Sequence, residues 1–480
     1  MTDTIRHYIN GEFVASSRTE PDPNPSDSAE VIAECSIGGA ADIDVAVRAA
    51  AAAGPAWRAT VSLERARILD AIGTRIMERK AELGSLLARE EGKLLADAIA
   101  EAAKAGWVFK FYAGLALQLH GASGSRLSTE GETLISREPV GVIGLIVPFN
   151  APLIITAWKA APALACGNTV VIKPSELAPA AVDAMTRIIA AVGLPPGVFN
   201  VVYGHGAEVG QALVSHPEVA GVSFTGSEAT GARVAIAAIP RLAKIQLELG
   251  GKNAFVIADD ADPVKAAKLA VAGAFHGAGQ RCTATSRIII LDAGYDAVVA
   301  ALIAATKALR VGAALDPGAT LGPLTTRSQL ERCAEVIARA TADGGRVIAT
   351  GTVAADSKRG HYQTPILIDN TAADTSINQH EIFGPVATII RVRDLDEAIS
   401  VANATRFGLS AGIATGSLNR ARLFRQRVRA GLIAVNQTTS GVDLNAPFSA
   451  MRASGYGGAE QGVEALHFYS VTKTAYIADA

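Results

Sequence analysis

Cysteine is scarce in this chain: four in 480 residues, at positions 35, 166, 282 and 333. No two are close enough for a CxxC redox or zinc pair, and there is no dense disulfide framework, so a reducing cytoplasm is the expected setting. The eight histidines are equally dispersed. Without HExxH or HxxxH spacing, nothing in the sequence supports a protein-bound metal. An excess of one charge is also missing, with 44 basic residues against 46 acidic ones. That balance sets up no field for nucleic acid or a membrane surface and points to small-molecule chemistry. The N-terminal stretch "MTDTIRHYIN" carries Asp3 and Arg6 and lacks the apolar region of a secretory signal. One run, Pro139 to Trp158, has twenty residues without a charge. Pro139, Pro148, Pro152 and Asn150 interrupt it, so it reads as a buried strand, a loop and a helix start rather than a membrane span.

A chain of this length suggests two or three domains, and 49% hydrophobic with 19% charged residues describes a globular protein. The opening third reads as helical. "AADIDVAVRAAAAAGPAWRA" and "SLERARILDAIGTRIMERKAELGSLLAREEGK" repeat apolar residues every three or four positions, with Ser62 as the expected N-cap and Gly92 as the stop. From residue 139 short β-branched runs alternate with helical segments: "GVIGLIV", "TVVIK", "VFNVVY", "GVSFT" and "KIQLEL". That rhythm predicts βαβ units and a mostly parallel sheet. A second set, from "NAFVIA" through "SRIIIL" to about residue 445, predicts another α/β domain. The tail "EALHFYSVTKTAYI" ends in an alternating segment suited to adding a strand to a neighbour.

Turns after parallel strands are where such sheets bind ligands. Three carry suitable groups: Lys173 to Glu176, Gly204 to Gly206, and Thr225 to Ser227. Gly226 and Ser227, at a helix start, offer backbone N–H groups and a hydroxyl to a phosphate. On successive strands these turns favour a dinucleotide, although the usual GxGxxG is absent and "GHGAEVG" spaces its glycines differently. Glu248 closes an apolar strand in "LELGGK", where a buried carboxylate must be paired or functional; Lys252 is its candidate salt-bridge partner. Cys282, in "HGAGQRCTAT", is open to two readings. Free cysteine often packs inertly, whereas Gly277, Gly279 and the polar neighbours Gln280, Arg281 and Thr283 suit a reactive thiol, with Arg281 favouring the thiolate.

"LELGGK" at 247–252 followed by "GQRCTA" at 279–284 closely resembles the two signatures of the aldehyde dehydrogenase superfamily. "PFNAP", "IKPSE", "FTGS", "EIFGP" and "PFSAMRASGYG" follow in the family's order, so the likeness spans nearly the whole chain. It implies an α/β fold with a Rossmann-like cofactor domain (1–118 and 138–247), an α/β catalytic domain (248–445) and a small β oligomerisation element (119–137 and 460–480), assembled as a homodimer or homotetramer. In that scheme Cys282 attacks the aldehyde carbonyl, Asn150 and the Cys282 amide hold the oxyanion, and Glu248 activates water to hydrolyse the thioester. Lys159 and Glu460 match positions that relay protons. NAD, with NADP allowed, falls to Pro148, Phe149, Lys173, Ser175, Glu176, Thr225, Gly226, Ser227, Leu249, Glu381 and Phe383. Glu176 repels a 2′-phosphate, which favours NAD. Glu248 also favours a free acid product over an acyl thioester of coenzyme A.

Three departures bear on the substrate. Phe149 stands where tryptophan is commoner, Ala151 replaces a common aromatic and widens the tunnel, and Ser449 and Ala450 replace two glycines. Trp158, Arg281, Gln437 and Phe448 are the candidate substrate contacts. The loop "VNQTTSGVDLNAPF" predicts a polar mouth, and Arg281 is placed to pair with a substrate carboxylate. The C-terminal motifs look similar to those of oxo-acid semialdehyde dehydrogenases such as those for 2-oxoglutarate semialdehyde. The expected substrate is therefore a carboxylated semialdehyde, with an aromatic aldehyde, or a non-redox cysteine hydrolase, as the alternatives.

Overall fold

Short runs of β-branched residues, bounded by turns, form the middle of an eight-stranded sheet. In the computed structural model, which describes residues 4–354 and 359–478, its order is Gly455–Tyr456, Lys244–Glu248, Val219–Thr225, Val142–Ile146, Thr169–Lys173, Phe199–Val201, His7–Ile9, Glu12–Val14. Asp3 and the last two residues of the 460–480 stretch lie outside the described residues. The five central strands are parallel and the flanking ones antiparallel. The strand at Val142–Ile146 is first in sequence among these five yet sits in the middle, with later strands to both sides. The strand order therefore reverses beside Val219–Thr225, and a crevice opens at such a point.

A second sheet of seven strands runs Arg346–Thr350, Ile366–Asp369, Val386–Val392, Thr285–Leu291, Asn253–Ile257, Ser410–Ala414, Leu432–Val435. Only Arg346–Thr350 is antiparallel to its neighbour. Its central strands are buried along almost their whole length, Arg391 being the exposed exception, as parallel strands covered on both faces must be. A third, antiparallel sheet joins Ala122–Ser125, Glu132–Pro139 and Ser470–Ile477.

The opening third differs from its helical reading. Five strands between Thr4 and Ser36 precede the first helix. The long helix expected from Ser62 divides at Arg79 (φ −104°, ψ 15°) into Ser62–Glu78 and Lys80–Glu91. Ser62 is itself helical, because Val61 takes the extended cap position; the Ser62 hydroxyl accepts from Arg65 instead. Gly92 does end the helix, with φ +89°. The C-terminal strand pairs along one edge with Glu132–Pro139 of the same chain. Among the described residues no helix is long and apolar enough to cross a membrane. The Pro139–Trp158 run becomes strand Val142–Ile146 and the start of helix Pro152–Ala165.

Candidate active site

The turns that follow the parallel strands of the first sheet meet at one opening. Pro148, Phe149 and Asn150 follow Val142–Ile146, Ser175 and Glu176 follow Thr169–Lys173, Gly226 and Ser227 follow Val219–Thr225, and Leu249 and Gly250 follow Lys244–Glu248. With Lys173, Thr225, Cys282, Glu381 and Phe383 they line a cavity of about 820 Å³. Every residue the sequence offered to the cofactor borders this space, as do Asn150 and Cys282.

The wall formed by the first sheet keeps polar groups available. The Thr225 hydroxyl is buried without a partner. Glu176 lies 2.6 Å from the Lys173 ammonium. Burial opposes ionisation of Glu176, yet Lys173 carries its carboxyl below the ordinary value. Two expected donors are already engaged. Gly226 gives its amide to the Glu248 carbonyl at 3.0 Å. The Ser227 hydroxyl caps helix Glu228–Ala238, accepting from the Thr230 amide and donating to the Thr230 hydroxyl at 3.0 Å.

Cys282 reaches the cavity on a loop whose backbone is unusual. Gly277, Ala278 and Gly279 all have positive φ, from +54° to +67°, and a Cβ on Gly279 would collide with the Gly384 carbonyl. Side chains from distant segments hold this loop. Asn253 donates to the carbonyls of Cys282 (2.8 Å) and Ala284 (2.9 Å), and its own oxygen accepts from the Ser410 amide. Thr439 donates to the Thr283 carbonyl at 2.7 Å, and Asn150 Nδ2 donates to the Gln280 carbonyl at 2.9 Å. Opposite, Phe383 sits edge-on to Phe149 with φ +61°, a conformation costing about 1–3 kcal/mol. Gln329 supports it by donating to the carbonyls of Ile382 (2.7 Å) and Phe383 (3.0 Å).

Buried charge surrounds the thiol. Burial, followed by the nearby Glu381 and Glu248 carboxylates, pushes the Cys282 thiol up to about 12; the Thr283 amide and Arg281 act the other way and are outweighed. Burial lifts Glu381 to about 7, against the Gly251 amide, which donates to its carboxylate at 3.1 Å, and the Lys252 charge. A Cβ at Gly250 would overlap the Glu381 carboxylate, so a larger residue there would displace that side chain. Glu248 is 3% exposed, and one of its carboxylate oxygens has no partner. The salt bridge to Lys252 does not form, since the Lys252 ammonium is buried and unpartnered as well. Burial, then the negative charge of Glu460, raises Glu248 well above its ordinary value, with Lys159 opposing. Lys159 contacts Glu460 directly and donates to the Ser223 hydroxyl at 2.7 Å in a fully buried network. A carboxylate raised in this way accepts a proton more readily than an exposed one.

The substrate candidates scatter. Trp158 and Phe448 pack with ring centroids 5.5 Å apart, and the Trp158 indole N–H is buried without a partner. Gln437 is exposed on its loop. Arg281 does not border the cavity that holds Cys282; it lines a small space behind the loop with Gly251 and Gly279, and its charge is felt by Glu91 and Asp97. The polar mouth is partly consumed: Thr439 is 2% exposed and pins the nucleophile loop, and Asn436 exchanges hydrogen bonds with the backbone of Thr415. The sequence reading missed Asn253 and Gln329, and placed Thr439 at the substrate mouth rather than against the Cys282 loop. A buried asparagine directly after "GGK" was the one available signal.

The sequence pattern of the aldehyde dehydrogenase family matches residues 13–475. The chain belongs to this family. It is 40% identical to the alpha-ketoglutarate semialdehyde dehydrogenase of Haloferax volcanii over 99% of both chains. It is 36% identical to the alpha-ketoglutaric semialdehyde dehydrogenase of Bacillus subtilis over 99% of this chain and 98% of that one. The betaine aldehyde dehydrogenase of Staphylococcus aureus, solved in complex with NAD+, superimposes with a TM-score of 0.96 at 33% identity, covering 98% of this chain and 94% of that one. The protein is thus an NAD(P)-dependent aldehyde dehydrogenase of the aldehyde dehydrogenase fold, and the hydrolase alternative gives way. The unpartnered Thr225 hydroxyl and the Lys173–Glu176 pair give the cavity wall a donor set suited to such a dinucleotide.

Proposed function

We propose that the enzyme oxidises a carboxylated semialdehyde of the 2-oxo-acid type to the free diacid, with Cys282 as nucleophile. One observation carries the catalytic part: Cys282 and Asn150 border the same cavity as every candidate cofactor residue. The Cys282 sulfur adds to the aldehyde carbon, and the charge that develops on oxygen falls to the Asn150 amide and the Cys282 backbone N–H. NAD+ held in the cleft supplies the hydride acceptor. Glu248 then takes a proton from water as it attacks the thioester carbon, which breaks the carbon–sulfur bond and releases the acid. The Lys159–Glu460 pair beside Glu248 provides the way out for that proton.

The substrate class is supported by the names of the Haloferax and Bacillus relatives. Arg281 lies outside the lining of the cavity that holds the candidate cofactor residues and stays the candidate partner for the substrate carboxylate. The test is kcat/KM with NAD and with NADP on a panel that includes 2,5-dioxopentanoate, uncharged aliphatic aldehydes and benzaldehydes. The semialdehyde with NAD should rank first, by about tenfold or more. A benzaldehyde in first place would transfer the assignment to aromatic substrates.

A homo-oligomer is proposed on a separate observation. Seven of the eight residues of Ser470–Ile477 are exposed, among them Val471, Tyr476 and Ile477. A second copy of the chain is the occupant that would cover this face. Light scattering should give the mass of two or four chains; one chain would remove the proposal.

A further inference from the structure

Lys93 and Glu101 stand outside every role described so far, yet both are buried, at 6% and 7% exposure. They contact each other at 2.5 Å, and Glu91 lies 4.0 Å from the same ammonium. Their remaining bonds converge on one turn. Lys93 donates to the main-chain carbonyl of Asn150 at 2.7 Å. Glu101 accepts from the amides of Leu153 (3.1 Å) and Ile154 (3.4 Å), the first turn of the helix that begins at Pro152. One buried ion pair therefore grips the strand-to-helix turn on both sides of Ala151. The Asn150 side chain, by contrast, makes one hydrogen bond among the described residues, to the Gln280 carbonyl.

We infer that the Lys93–Glu101 pair is a positioning clamp for the oxyanion donor, holding the backbone from which the Asn150 amide is aimed. The inference rests on the proposed role of Asn150. Burying two charges is costly, and the cost is met only where each charge finds good partners. Here the partners are one ion pair and the backbone groups of the turn that carries Asn150. Neither side chain borders the cavity lined by Cys282 and the candidate cofactor residues, so both act through Asn150. Displacing a donor by a fraction of an ångström weakens stabilisation of the developing charge while leaving the cofactor cleft as it is.

The test uses the full-length enzyme, with single-turnover NADH formation, the NAD Kd and the melting temperature measured for K93M, N150A and the double variant. K93M should slow the hydride-forming step by about tenfold to a hundredfold, with the NAD Kd within about twofold of wild type. In the N150A background K93M should add less than about a further twofold, because the clamp has nothing left to aim. K93R, which keeps the donor, should recover part of the rate. A wild-type rate in K93M, or a full second loss in the double variant, overturns the clamp. A wild-type rate in N150A instead overturns the oxyanion reading beneath it, so the two failures are distinct. Should K93M not fold, E101Q carries the same test, since it keeps the acceptor for both amides while removing the ion pair. It should show the same non-additivity with N150A.

Discussion

The two large sheets present opposite ends to the same cleft. The first turns its strand C-termini toward it, so that Pro148 to Asn150, Ser175, Glu176, Gly226, Ser227, Leu249 and Gly250 all follow a strand. The second turns its N-termini: Cys282 comes just before Thr285–Leu291, Glu381 and Phe383 before Val386–Val392, and Gly250 before Asn253–Ile257. At the first edge helix starts and loose polar groups converge, the general arrangement for binding a ligand, and the Thr225 hydroxyl is still unpaired. At the second edge the loops are tied by Asn253, Thr439 and Gln329. One edge is built to receive a molecule. The other is built to hold a thiol still.

If that division is right, changes at the two edges should fail differently. The largest effect belongs to Cys282→Ala, which should bind NAD normally yet lose NADH formation by more than about a thousandfold. Retained turnover would move the chemistry off the second edge. Next is Glu248→Gln, at the end of a first-sheet strand. About one NADH per site should form in a burst, after which steady-state turnover should fall roughly a hundredfold as the thioester persists. Undiminished steady-state turnover would assign the base elsewhere.

Asn253→Ala probes the tie itself. It strips two part-buried carbonyl contacts from the Cys282 loop and one buried acceptor from the Ser410 amide. We expect a loss of about 1–3 kcal/mol in stability and roughly tenfold in kcat, with the NAD Kd unchanged. A change in NAD affinity equal to the loss of kcat would mean that the two edges are not separate.

The same contrast explains what could be read from the sequence. The five parallel strands of the first sheet were legible because each is a β-branched run of a few residues, and their turns follow a general rule of α/β sheets. The residues at 381, 383 and 282 obey no such rule, and only the resemblance of ordered motifs placed them. Four of the five early strands between Thr4 and Ser36 were missed because they are only two to six residues long and, as in "TEPDPN", rich in proline and charge. Their conformation comes from strand pairing, Thr19–Asn24 with Asp27–Ser36 and Tyr8 with the distant Val201, not from local propensity. Arg281 shows the limit most clearly: adjacency to Cys282 in the chain suggested a shared cleft, yet the two residues line different, adjoining cavities.

Arg281 also leads to the smallest predicted effect, a pH slope. Its proximity suggested a readily ionised thiol, whereas burial and the carboxylates of Glu381 and Glu248 raise Cys282 to about 12. The reactive species is the thiolate, and well below the thiol's pKa its fraction rises tenfold with each pH unit. Alkylation of the free enzyme by iodoacetamide, measured on Cys282 by mass spectrometry, should therefore climb about tenfold per unit from roughly pH 7 to pH 9 without levelling. Arg281→Ala should lower these rates by less than about threefold, because Arg281 is the weakest of the influences on the thiol. A plateau beginning below about pH 8, abolished in the Arg281 variant, would make that arginine the activator of the nucleophile.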